Sequence, residues 1–357
     1  MIFSYSQIIL IMEMMIFKVL KGNFEKSFLI LSFFQLSFLL GMRKINVGID
    51  TPTYAKLFSY MAEGHQGYLE IGNYYLTRLI SLTGDGYQPM LIAYACLTVG
   101  MTLYAIYHLS EDIYLSTLLY SGLLYYSFAF NGMRQALACA IIMISYVYLK
   151  NNHIKCTAML IGIAGLFHFS AYVTYIIIPF TLGTFKIRKN NRNQIIYISL
   201  LLIFMLLIGI YGFRLLEEAQ AFLPRYAAYI DRHARGLGYQ HKNSSWNILF
   251  YLLIYFFSYF QIARKKLEWN FDRLSLVMLS IGVTIYFIAM NFALVARLSL
   301  YFTISIIWLL PNTIKYMNGY AEKKIFQCVF VLLSLVYECA LIYVEANGMV
   351  PYYFYWE

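Results

Sequence analysis

Long apolar runs separated by short polar connections extend along this chain from end to end. A helix rises 1.5 Å per residue, so about 20 apolar residues cross the roughly 30 Å hydrocarbon core of a bilayer. The runs predict about twelve membrane-spanning helices, several of them short, within a single transmembrane domain, 1–357. The predicted spans are 2–20, 27–41, 89–109, 113–130, 133–149, 155–167, 169–185, 195–213, 246–263, 274–291, 297–313 and 325–345.

Composition agrees with this pattern and narrows the class of protein. The chain is 61% hydrophobic and 12% charged, whereas soluble domains carry about 25% charged residues. A transmembrane β-barrel is disfavoured, because its strands alternate in segments of about ten residues. The net charge of +10 does not indicate a nucleic-acid partner, since much of it falls in short loops that orient a membrane protein. An all-α polytopic membrane protein is therefore expected.

Basic residues predict the orientation of the helices. Clusters of lysine and arginine follow the first, fifth, seventh, ninth and eleventh predicted spans. If both termini face outward, all these clusters lie on the same side of the membrane, and the positive-inside rule identifies that side as cytoplasmic. This arrangement requires 155–185 to turn near His168 and 113–149 to turn at 130–132. Arg134 and His168 are then expected at the outward tips of two short hairpins that line a recess.

Two outward segments are long enough to form larger periplasmic loops, 42–88 and 214–245. The second contains Arg225, Tyr229 and Arg232 at i, i+4 and i+7, so a helix there would present them on one face. This face is predicted to bind substrate.

Arginine is unusually frequent on the predicted outward side. Its planar guanidinium binds two phosphate oxygens at once and stays charged, so a group of arginines suits a lipid-linked phosphate or diphosphate. The alternative explanation is that these arginines pair with acidic loop residues or lipid headgroups. This explanation is less favoured for Arg134 and Arg297, because they lie at the ends of apolar helices, where burying a charge is costly. The outward arginines are Arg43, Arg78, Arg134, Arg214, Arg225, Arg232, Arg235 and Arg297.

Three residues are candidates for a general base: His168, Asp50 and Glu70. The alternatives are a packed histidine bonded to a backbone carbonyl, and loop carboxylates in salt bridges. The sequence contains no DxD pair, no glycine-rich phosphate loop, no HExxH and no GxSxG, and its five cysteines lack metal-ligand spacing. A nucleotide-sugar donor held by a metal at a DxD site is therefore disfavoured, and neither a cofactor nor a metal is predicted.

Four segments in this order resemble the EpsG-type polysaccharide polymerases, the group that includes many O-antigen polymerases (Wzy). They are GIDTPTY at 48–54, NGMRQALA at 131–138, LFHFSA at 166–171, and AR at 296–297 before YF at 301–302. The resemblance spans roughly 40–305, and the ordered set is more specific than any single segment.

The resemblance implies a GT-C-like fold in the bacterial inner membrane. Such a polymerase transfers a growing glycan, on the periplasmic side, from undecaprenyl diphosphate to a lipid-linked repeat unit in lipopolysaccharide or related polysaccharide synthesis. The implied partners are undecaprenyl-diphosphate-linked oligosaccharide and membrane lipids, and a chain-length regulator protein is a further candidate. The resemblance also implies that Arg43, Asp50, Tyr54, Arg134, His168 and Arg297 match motif positions of the family, Arg43 lying just ahead of the first segment. Among these, Arg43, Tyr54 and Arg297 are predicted to bind substrate.

Other functions fit parts of the same pattern. An O-antigen ligase shares the many helices, the large outer loop and the outward arginine and histidine, but the GxDTxxY and NxxRQxLA segments favour a polymerase. A transporter of lipid-linked sugars needs a cationic path through both leaflets, whereas arginine and histidine gather toward one face here. A purely structural membrane protein leaves Arg134 unexplained.

Overall fold

The computed structural model describes residues 2–20, 24–66, 69–84, 86–179, 181, 245–264, 270–288 and 296–357. Within these ranges the regular elements are helical, and one isolated antiparallel bridge joins Arg43 to Phe354. The predicted helix 195–213 and nearly all of the predicted loop 214–245 lie outside the described residues.

The helices follow the apolar runs closely. Three 3-10 helices occur in the described ranges, at Phe169–Ile176, Arg297–Ser299 and Ala346–Gly348. The described α-helices are α1 Ile2–Val19, α2 Glu25–Gly41, α3 Thr51–Ala62, α4 Ile71–Ser81, α5 Gln88–Leu109, α6 Ile113–Gly122, α7 Leu124–Phe128, α8 Met133–Lys150, α9 Ile154–Phe167, α10 Ser245–Arg264, α11 Phe271–Ile288, α12 Leu300–Thr303, α13 Ile306–Ile314 and α14 Tyr320–Tyr343.

Five of the described helices are long and apolar enough to cross a membrane: α1, α5, α8, α10 and α14. They support the prediction of an α-helical membrane protein. The count of twelve spans and the GT-C-like arrangement stay predictions. Both predicted turns are confirmed, because α8 begins just after 130–132 and α9 ends immediately before His168.

The segment 42–88 is more ordered than its polar composition suggests, because it contains α3 and α4. Asp50 occupies the N-cap position of α3 and Pro52 lies in the first turn, where its missing N–H costs nothing. Glu70, with extended backbone, is the N-cap residue of α4. A search for apolar runs long enough to cross a bilayer does not detect such short helices.

The chain divides into two compact units, of which unit 1 comprises Met1–Tyr175 and Met317–Glu357. At its centre α8 packs between α5 and α9, and α5 packs on α2. The face of α8 presents small residues, including the buried Ala136, Ala138 and Ala140, which let the helices approach closely.

One end of unit 1, here called the lysine end, collects basic side chains. Lys18 at the end of α1 forms an ion pair with Asp112 ahead of α6, with Nζ and Oδ2 3.1 Å apart. Lys150 at the end of α8 donates to the carbonyl oxygen of His108 at 2.7 Å. The last turns of α1, α5 and α8 therefore lie together.

The opposite end of unit 1, here called the arginine end, holds Arg43 and Arg134. Gln88, at the start of α5, donates to the carbonyl oxygen of Gly41, at the end of α2. The ring of Phe3, at the start of α1, lies 5.3 Å from that of Phe130. The helices α1, α5 and α8 therefore all begin at the arginine end and finish at the lysine end.

The C-terminal residues return to the arginine end and fasten the loop after α2. The backbone N–H of Gly48 donates to the carbonyl oxygen of Gly348 at 2.7 Å, and that of Lys44 donates to Tyr353 at 2.9 Å. The start of α1 and the C-terminal residues therefore lie at the same end of unit 1.

Unit 2 comprises Ile176–Tyr316. In its described part, α11 packs against α10, α12 and α13. The buried carboxylate of Asp272 accepts a hydrogen bond from Asn312 at 2.9 Å and another from Tyr316, and it pairs with Lys315 at 3.0 Å. These partners satisfy a charge that would otherwise be costly to bury.

Candidate functional site

Arg134 lies in the first turn of α8, at the arginine end. Gly132, the N-cap residue of α8, offers no side chain to cap the helix, so the positive end of the helix dipole adds to the guanidinium charge. Nη1 of Arg134 donates to Oε2 of Glu70, and the two side chains are 20% and 17% exposed. This ion pair joins α8 to the start of α4 and keeps a cation within reach of the surface.

Glu70 joins three segments of unit 1. Besides Arg134, its Oε2 accepts from Nδ2 of Asn73 at 3.2 Å, and its Oε1 accepts from the backbone N–H of Phe169 at 3.3 Å. Donors already occupy both oxygens. The carboxylate is therefore better arranged to hold Arg134 than to accept a proton from a substrate.

Asn73 and Tyr94 extend this network into the core. The hydroxyl of Tyr94 on α5 donates to Oδ1 of Asn73 at 2.7 Å, and Nδ2 of Asn73 also donates to the carbonyl oxygen of Phe167 at 2.6 Å. Both side chains are buried. Sequence reasoning missed them: Asn73 follows Glu70 by three residues and so shares its helix face, but nothing distinguishes Tyr94 from the other tyrosines.

Tyr54 on α3 contacts Arg134 from another direction. Its hydroxyl accepts a hydrogen bond from the guanidinium, and the guanidinium carbon lies 5.8 Å from the ring centroid. The ring is buried. Tyr54 and Glu70 together determine the orientation of Arg134, because they contact it from two different helices.

His168 immediately follows α9 in extended conformation. Its Nδ1 lies 2.6 Å from Oγ of Ser170, and its half-buried ring is part of the arginine end. The next residue, Phe169, donates its N–H to Glu70. His168 and Arg134 are thus connected through the same carboxylate, although they are 34 positions apart in the sequence.

Two of the family segments contact each other directly. The backbone N–H of Asp50 donates to Oδ1 of Asn131 at 2.9 Å, just ahead of α8. Gly48 has a φ of +89° and packs against the carbonyl oxygen of Phe130, a conformation and a contact that favour glycine. The half-buried Asp50 forms no ion pair with any other side chain in the described part of the chain.

Arg43 is enclosed behind this turn, with 1% of the residue exposed. Nη1 donates to the carbonyl oxygen of Leu40, while Nε and Nη2 find no acceptor in the described ranges. The guanidinium carbon lies 5.3 Å from the ring centroid of Phe130. Burial lowers the pKa of Arg43 to about 10, which still leaves it charged at neutral pH. A ligand can touch it only after its neighbours move.

The remaining predicted residues lie in unit 2 or outside the described residues. Arg297 is half-buried and begins a 3-10 helix in unit 2. Arg225, Tyr229 and Arg232 lie outside the described residues. Within the described ranges, no group of three or more His, Cys, Asp or Glu side chains is placed to hold a metal ion.

The cluster at the arginine end therefore combines a fixed cation with candidate proton acceptors. Arg134 supplies the charge, Glu70 and Tyr54 orient it, and His168 and Asp50 lie on the segments joined to it. Such a site can stabilise an anionic leaving group while a nearby base accepts a proton.

Comparison with known proteins gives one family match. A family model described as the EpsG family matches residues 26–354, which includes all four segments discussed above. No curated protein and no solved structure matches.

Proposed function

Because the chain belongs to the EpsG family, whose model matches residues 26–354, we propose that it is a polysaccharide polymerase of the O-antigen polymerase (Wzy) type. It moves a glycan from undecaprenyl diphosphate onto a lipid-linked repeat unit at the periplasmic face of the bacterial inner membrane. The observation that carries the proposal is the Arg134–Glu70 pair at the head of α8, at the end of unit 1 opposite Lys18 and Lys150.

The reaction is a substitution at the anomeric carbon of the donor sugar. An acceptor hydroxyl oxygen bonds to that carbon, the bond from the carbon to the diphosphate oxygen breaks, and the diphosphate leaves with the electron pair. The hydroxyl proton passes to a base. Arg134 and the N-terminus of α8 oppose the charge that develops on the diphosphate. The donor already carries its leaving group, so neither a nucleotide nor ATP is needed.

We assign the proton acceptor to His168 or Asp50, and the holding of Arg134 to Glu70. The three hydrogen-bond donors on Glu70 support this division of roles. Arg297 and the loop residues Arg225, Tyr229 and Arg232 remain predicted contacts for the diphosphate or the glycan.

The direct test uses purified protein in lipid nanodiscs with undecaprenyl-diphosphate-linked repeat units, EDTA and no nucleotide. We expect a ladder of lipid-linked products that grow by whole repeats. A ligase would need a lipid A–core acceptor, and a transporter would form no glycosidic bond. Absence of the ladder with folded protein, or its dependence on added divalent metal, would overturn the proposal.

The proposed orientation predicts which engineered cysteines react from outside the cell. After the five native cysteines are replaced, one variant carries Glu63→Cys, at the end of α3, and another carries Asn151→Cys, after α8; both positions are exposed. A membrane-impermeant maleimide should label Glu63→Cys in intact spheroplasts, and label Asn151→Cys only after permeabilisation. The reverse pattern would place the site in the cytoplasm.

A further inference from the structure

Four exposed apolar residues line the outward face of α4, beside the exposed Arg78, although α4 lies outside every span that the apolar runs predict. Ile71, Tyr75, Leu79 and Leu82 are 37%, 65%, 64% and 81% exposed. Their spacing of four, four and three residues places them in one line along the helix. We call this line the α4 stripe.

The other face of α4 is packed against unit 1 and buries two polar residues and one apolar residue. Asn73, Thr77 and Ile80 are buried against unit 1. A Cβ at Gly72 would lie 2.7 Å from the carbonyl oxygen of Leu166, so α4 rests directly on α9. The orientation of the stripe is therefore fixed by close backbone packing.

Two further exposed apolar residues lie beside the stripe at the first turn of α4. Leu166 at the end of α9 is 40% exposed and Phe169 is 50% exposed. Phe169 is tied to the start of α4 through its N–H bond to Glu70. The apolar surface thus extends from α4 to the edge of the candidate site.

The guanidinium of Arg134 lies at the start of this surface, and the exposed Arg78 lies beside its later part, where Nη1 donates to the carbonyl oxygen of Ala62. The stripe begins one residue after Glu70, whose carboxylate holds the guanidinium of Arg134. Eleven helical residues extend about 16 Å at 1.5 Å per residue. An anionic head beside Arg134 with an apolar chain along α4 matches this distribution of charge and apolar surface.

We propose that the α4 stripe binds the isoprenoid chain of the polyprenyl diphosphate substrate whose diphosphate is bound by Arg134. This inference rests on the proposed function and names the part of the protein that recognises the lipid. The stripe selects substrates by their chain, while Arg134 binds the head, so chain recognition and chemistry are carried out by different residues.

The kinetic test compares two substrates that differ only in chain length, one with an undecaprenyl chain and one with a geranyl chain. The test variant is the double substitution Tyr75→Gln with Leu79→Gln. The control is Tyr60→Gln, an exposed aromatic residue on the neighbouring α3 and outside the stripe. The double variant should raise KM for the undecaprenyl substrate roughly tenfold, from the lost apolar contact, and leave kcat and the geranyl KM unchanged. An unchanged ratio of the two KM values would overturn the inference.

A second measurement needs no turnover and uses the wild-type chain. A photoreactive undecaprenyl diphosphate analogue in nanodiscs should label the peptide that contains α4, and excess undecaprenyl diphosphate should remove the label. Label that phosphatidylglycerol removes equally well would mean that α4 faces bulk lipid, and the inference would be wrong. If the label is specific but the wild-type protein makes no polymer, the lipid site stands and the proposed function fails.

Discussion

Replacing Arg134 with alanine is expected to abolish chain extension, so that cells display single repeat units in place of long polysaccharide. The substitution removes the fixed charge that opposes the departing diphosphate. Loss of one preorganised electrostatic contact lowers kcat by about 10² to 10³. Gel analysis of surface polysaccharide measures the distribution of chain lengths, and the nanodisc assay measures the rate.

Two further variants separate the role of the charge from that of the fold. Arg134→Lys keeps the charge without the planar fork and should retain intermediate activity. Glu70→Gln keeps the shape of the partner but removes its charge, so it should misplace Arg134 and reduce kcat while the protein still elutes as a folded species. Normal chain length in Arg134→Ala would show that this guanidinium takes no part in the reaction.

Replacing Gly48 with alanine is expected to destabilise the protein and to disturb the turn that carries Asp50. The added Cβ would lie 2.1 Å from the carbonyl oxygen of Phe130, at a φ of +89°. The left-handed backbone costs roughly 1–2 kcal/mol for a residue with a side chain, and overpacking typically adds about 1–3 kcal/mol. A loss on the order of 3 kcal/mol should appear as a lower Tm in detergent, together with reduced polymerisation.

Gly86 provides a matched control for this variant. It has a φ of +82°, but a Cβ there would meet no described atom within 4 Å. Gly86→Ala should therefore lose only the backbone contribution of roughly 1–2 kcal/mol and keep its activity. Equal losses in the two variants would mean that contact with Phe130 is not the reason for glycine at position 48.

Much of the secondary structure follows from local pattern. The apolar runs predicted the helices of the described part closely, because burial of apolar side chains in lipid needs only a sufficient length of apolar sequence. The turn before Arg134 and the break at His168 followed from the requirement that basic clusters share one side. The short helices of 42–88 could not be predicted from the apolar runs, because α3 and α4 expose a mixture of polar and apolar residues and are far below bilayer length.

The partners of Arg134 could not be read from the sequence. Glu70 precedes it by 64 positions, and the predicted role of Glu70 was that of a base, with an ion pair only as the alternative. Tyr94 carries no local signal at all, and Arg43 looked like an outward phosphate contact until its burial was known. Each of these assignments depends on which helices pack together.

By itself, then, the sequence determined that this is an α-helical membrane protein of the EpsG type with costly charges at helix ends. Composition and periodicity are local properties, and the bilayer imposes the same requirement on every span. Only the tertiary structure decided that Glu70 holds Arg134, that Tyr54 contacts it, that Arg43 is enclosed, and that α4 turns its apolar side outward. Those outcomes depend on contacts between distant segments, where a single close approach such as Gly72 on Leu166 determines which face of a helix is buried.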